Sequence, residues 1–146
     1  MGSAAYRPTA QIKVNVLEQA ILEPLAAGDP FGAACGAIGI RDLPAEQQRA
    51  IITAVQGTIT SAEQATLLAA TRAAEAWYQR KGTPAPPAEF WLPGTPDATH
   101  PAAWAVRIAL AKRTGDTVDA TRMAKSMQRL PAEQQAQIHA LLAKIQ

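Results

Sequence analysis

The chain has 146 residues, and 14 Lys+Arg against 12 Asp+Glu leave a formal net charge of +2. Alanine supplies 33 residues, while Leu, Ile, Val and Phe together supply only 28. So small an aliphatic complement lies near the floor for burying a core, but the low charge excludes a self-repelling disordered chain, and no apolar run approaches the roughly 18 residues of a membrane span. Cys35 is the only cysteine, which excludes an internal disulfide and a cysteine-rich metal framework. Met1 to Pro8 has no charged start followed by an apolar stretch, so no secretory signal is expected and residence in the cytoplasm or in a larger particle is.

The alanines point to helix, because alanine has the best intrinsic helix propensity. Val14, Leu17, Ile21 and Leu25 recur at spacings of three and four and predict a helix over 11–27. The alternation of Ile12, Val14 and Val16 leaves a short edge strand open there. Pro24 is expected to kink that helix or end it near Glu23. Asp29-Pro30 reads as a cap and first helical residue. Gly32 and Gly36 then make a face without side chains, which suits either a short helix packed closely on a neighbour or a glycine-rich loop.

Leu43-Pro44-Ala45-Glu46 predicts a helix start, with Ile51, Ile52, Val55 and Ile59 as its stripe and Gly57 as its end. Ser61 to Gln64 resembles a capping box opening a helix to about Lys81. Leu67, Thr71, Ala74 and Tyr78 share one face of that helix. The back carries Ala69, Ala73 and Ala76 beside Arg72 and Arg80, which implies contact on two sides.

Residues 82–101 hold six of the eleven prolines and are read as an extended arm. Phe90, Trp91 and Leu92 make it too apolar for a spacer, so it is expected to dock on a helix surface of this chain or another. Three helices should follow: 102–114 stopped by Gly115, 117–129 with Met123 and Met127 in its stripe, and one from Pro131 burying Ile138, Leu141, Leu142 and Ile145. The hexapeptide at 43–48, Leu-Pro-Ala-Glu-Gln-Gln, recurs at 130–135. With six matching positions, it reads more simply as one good helix start used twice than as a duplication.

The expected fold is therefore all-α. It is a compact bundle of about six or seven helices, with an N-terminal half 1–81, the arm, and a C-terminal three-helix segment 102–146 sharing one core.

Few residues suggest chemistry. His100 and His139 lack partners at metal-ligand spacing, so no metal or cofactor is expected. Cys35 lies among glycine and alanine and reads as a small buried residue. An enzyme built around it is the least supported function. Asp116 and Asp119 read as helix-start carboxylates.

Residues 101–146 carry seven positive and three negative side chains. Arg122, Lys125 and Arg129 share one face of their helix, with Arg107 and Lys112 close in sequence. They are the candidate nucleic-acid contacts. The main expectation is a non-enzymatic assembly or protein–protein interaction subunit, such as a component of a viral or secretion complex. Its partner is another protein or a second copy, and Phe90, Trp91 and Leu92 are the contacts.

Overall fold

The structure is a computed structural model that describes residues 8–82, 94, 95 and 97–145. Seven α-helices occur among the described residues, with no strand: α1 (Pro8–Ala26), α2 (Pro30–Gly39), α3 (Ala45–Gln56), α4 (Ser61–Arg80), α5 (Pro101–Arg113), α6 (Thr117–Met127) and α7 (Ala132–Lys144). A 3-10 turn, Ile40–Asp42, joins α2 to α3. No described helix is long and apolar enough to cross a membrane. Residues 11–16 lie inside α1, which removes the strand alternative. Phe90, Trp91 and Leu92 lie outside the described residues.

One constant offset relates the first three helices to the last three. It carries Gly28-Asp29 onto Gly115-Asp116 and the first hexapeptide onto the second. It also carries the ends of α1, Ala26, and of α5, Arg113, onto one another. Both junction glycines have positive φ, 80° and 73°, a region where a Cβ is strained. Both aspartates cap the next helix, Asp29 accepting from Gly32 N and Asp116 from Asp119 N.

The two hexapeptide turns are built alike. Pro44 and Pro131 cap their helices with ψ of 148° and 147°. Gln48 Nε2 donates to the carbonyls of Arg41 and Leu43, at 2.9 and 2.7 Å. Gln135 Nε2 donates to those of Gln128 and Leu130, at 3.2 and 2.8 Å. In each copy the glutamine ties the incoming turn to the first turn of its helix. Ile51 and Ile138, at equivalent positions, are both fully buried.

The packing repeats as well, with α1 against α2 and α3, and α5 against α6 and α7. The hexapeptide is thus part of a repeated three-helix unit, 8–56 and 101–144, rather than an isolated helix start. The expectation of mere coincidence is corrected.

Helix α4 stands between the units. Its Thr60 and Glu63 form the capping box, one residue earlier than the pattern from Ser61 suggests. Leu67 and Leu68 close the core of the first unit. Ala70, Ala74 and Trp77 pack with Phe31 and Ala34 of α2 and with Ala102, Val106 and Leu110 of α5. A third cluster holds Ile108, Met127 and Ile138. Buried Arg41 pairs with buried Glu75 and so fastens the first unit to α4.

Pro24 does not end α1, which runs on to Ala26. It lies in the last turn, where losing one N–H costs little helix. The loss leaves the Ala20 carbonyl without its donor four residues on. Gly36 of α2 packs against that carbonyl, and a Cβ on Gly36 would lie 2.5 Å from the oxygen. A Cβ on Gly32 would lie 2.9 Å from Pro24 Cβ. Of the two readings of this glycine segment, the closely packed helix is the one observed.

Candidate partner-binding groove

The glycine-paved contact of the first unit has an open counterpart in the second. The offset places Arg107 at the Ala20 position, Ala111 at Pro24, Asp119 at Gly32, Arg122 at Cys35, Met123 at Gly36 and Ser126 at Gly39. Side chains stand on α6 where α2 has bare backbone, so α6 cannot close on α5 as α2 closes on α1. A cavity of about 370 Å³ lies between α4, α5 and α6. Its walls include Asp119, Arg122, Met123 and Ser126 of α6, Trp104 and Arg107 of α5, and Ala73, Ala76, Trp77 and Arg80 of α4.

Three guanidinium groups and one buried carboxylate face this groove. Asp119 is 4% exposed. Arg122 lies 3.2 Å from its Oδ1 and Arg80 3.6 Å from its Oδ2. Among the described residues Arg107 makes no ion pair. Its Nε donates to the Ala103 carbonyl and its Nη2 to the Ala98 carbonyl, both at 3.3 Å. Its guanidinium lies 5.2 Å from the centre of the Trp104 ring. Burial, then the neighbouring Arg80, push the Arg107 pKa down, and Asp119 opposes them. Buried Trp77 has an indole N–H without an acceptor among the described residues.

A second cavity of about 230 Å³ shares Ala73, Ala76 and Arg107 with the first. Ala69 and Arg72 of α4, with Asp97, Ala98 and Ala103, complete its lining. The alanine back of α4 therefore faces a groove: Ala69 is buried, Ala73 half-buried and Ala76 exposed, so the expected contact on this second side is not made among the described residues. Helices α4 and α5 run in the same direction, since Ala98 lines the slot with Ala69 while Lys81 bonds Asp116 at 2.6 Å near the far end.

Of the basic residues singled out in the sequence, Arg107 and Arg122 meet here. Lys112, Lys125 and Arg129 are exposed and line neither cavity. Arg122 pairs with Asp119 one turn back, and Arg129 lies beyond the end of α6 at Met127 rather than on its face. Arg80 joins the site from α4 and was not among the basic candidates. Trp77 and Trp104 share the groove but belong to different core clusters. Met127 is core, while Met123 is half-buried in the groove wall.

Cys35 is exposed, not buried as expected. The buried side of α2 is formed by Pro30, Phe31, Ala33, Ala34 and Ala37. Partial desolvation raises the thiol pKa, Arg113 lowers it, and Asp29 raises it. Among the described residues no group of three or more His, Cys, Asp or Glu side chains is placed to hold a metal. His100 caps α5, its Nδ1 accepting from Ala102 N at 3.0 Å, and burial lowers its pKa against the opposing pull of Asp97. Comparison with protein-family models, curated proteins and solved structures finds no match.

Proposed function

We propose that this chain is a non-enzymatic helical interaction subunit that holds a protein partner in the groove between α4, α5 and α6. The observation that supports this reading is the convergence of Arg80, Arg107 and Arg122 on walls of tryptophan, methionine and alanine. Arginine and tryptophan are enriched among residues that carry interface energy, because each combines a large apolar area with fixed donors. The arm bearing Phe90, Trp91 and Leu92 is proposed to add apolar contact to the same partner. Its far end rejoins the described chain at Gly94, beside Leu68 of α4.

A photocrosslinking residue placed at Ser126 tests this in producing cells. The expected result is a discrete crosslinked product, absent when the same residue replaces Lys125. No product from position 126 defeats the reading.

Nucleic-acid binding has less support. Only two of its five cations line the groove. Trp77 is buried and Trp104 is partly covered by Arg107, so neither ring offers the open face that base stacking needs.

A further inference from the structure

We infer that the groove takes an acidic protein segment, with a partner carboxylate seated against Arg107 and an apolar side chain in the adjoining alanine slot. This rests on the interaction reading above and adds the chemistry of the partner. Arg80 and Arg122 both pair with Asp119, whereas among the described residues Arg107 pairs with no carboxylate. Among the described residues only main-chain carbonyls receive its hydrogen bonds, although a guanidinium carries five N–H donors.

The site is also short of negative charge. Among the described residues three arginines face one aspartate around the cavity, and the adjoining slot adds Arg72 and Asp97, one charge of each sign. Two cations, Arg80 and Arg107, lie close enough for one to depress the pKa of the other. A carboxylate beside Arg107 relieves that repulsion and completes a charge-assisted pair in partly desolvated surroundings. The Trp104 ring flanks the guanidinium,, and Nη1, which has no hydrogen bond among the described residues, is left as the docking donor.

The second cavity sets what lies beside the carboxylate. Ala69, Ala73, Ala76, Ala98 and Ala103 make its walls mostly methyl groups, and Arg107 stands at the junction of the two cavities. An aliphatic side chain next to the acidic one fits that order. A free phosphate ion would leave the slot unfilled.

The test is fluorescence anisotropy with end-blocked decapeptides built from Glu, Leu and Ala, and with a version carrying Gln for Glu. The glutamate peptide should bind at least about tenfold more tightly than its neutral twin, with added salt narrowing the gap. Arg107→Gln should remove the preference. Ser126→Trp, which fills the groove and leaves the ion pairs in place, should abolish binding while the circular dichroism melt is kept. A Lys125→Ala, Arg129→Ala variant should bind as the parent does.

Equal affinity for the two peptides overturns the proposal. So does equal affinity for a ten-nucleotide oligothymidylate, or binding that survives Ser126→Trp. Binding that appears only after Phe90, Trp91 and Leu92 are changed to serine assigns the groove to the chain's own arm and overturns it too. A crosslink from position 126 without charge preference defeats this inference alone. No crosslink defeats the interaction reading beneath it.

Discussion

The two three-helix units share their turns and caps but differ where their first two helices meet. In the first unit, Gly32 and Gly36 let α2 settle on the Pro24 turn of α1. In the second, Asp119 and Met123 hold α6 away from α5, and the opened space is lined by charge and aromatic rings. The units are also fastened differently to α4. Arg41 is buried in an ion pair with Glu75, while its counterpart Gln128 is exposed. One unit is built for closure, and the other keeps a surface available.

The largest expected effect comes from breaking the closed unit's fastening. Glu75→Ala removes the carboxylate that both Arg41 and Arg72 pair with, and removing one partner of a buried pair costs about 3–5 kcal/mol. Urea unfolding measures it. Changing both residues together, Arg41→Met with Glu75→Leu, should recover most of the loss. A single variant as stable as the parent means the pair does not fasten this unit.

Transplanting the open unit's residue into the closed one comes next. Gly36→Met forces a side chain onto the Ala20 carbonyl and should cost about 1–3 kcal/mol, read as a drop in Tm. The reverse exchange, Met123→Gly, should leave the fold in place and weaken capture at the groove. If Gly36→Met is silent, the glycine contact does not hold α1 and α2 together.

The repeated glutamines give a smaller, graded comparison. Gln48 is 6% exposed, whereas Gln135 is only half-buried. Gln48→Ala should cost about 1 kcal/mol, because it leaves two carbonyls short of a donor where water reaches poorly. Gln135→Ala should cost less, since water can replace the lost amide. Equal losses would mean that burial does not set the difference.

The smallest effect is a pH dependence at the N-terminus of α5. The neutral His100 ring accepts the capping hydrogen bond, and its folded pKa lies below the ordinary value. Stability from this cap is complete above about pH 6.5 and is lost as pH falls from there through the lower folded value. His100→Asn keeps a cap without an imidazole and should flatten this part of the profile in thermal melts. An unchanged profile would remove His100 as its source.

Much of the fold was legible because local signals agreed with one another. Alanine content, proline-led starts and Asp29 and Asp116 as caps each act within one turn of helix. The repeat was harder to read. Outside the hexapeptide its agreement lies in scattered positions such as Ile21 with Ile108 and Ala37 with Ala124, whose alignment appears only once the helix ends are known.

The groove was legible only in halves. Arg107 and Arg122 stood out by charge, and Ala69, Ala73 and Ala76 by their place on the back of α4. That they meet depends on α5 running alongside α4 in the same direction, which no local pattern encodes. Arg80 was missed as a basic candidate because its neighbours in sequence are not its neighbours in space.

Helix α4 has a consequence for how the molecule assembles. Each three-helix unit is continuous in sequence, so its own contacts close over short loops at small entropic cost. Yet Leu67 and Leu68 complete one core while Ala70, Ala74 and Trp77 complete the next. A chain that has folded only its first unit would still show water the apolar side of α4 meant for the second. That shared helix makes folding of the two units a coupled event, and it makes the half-folded chain the form most exposed to aggregation.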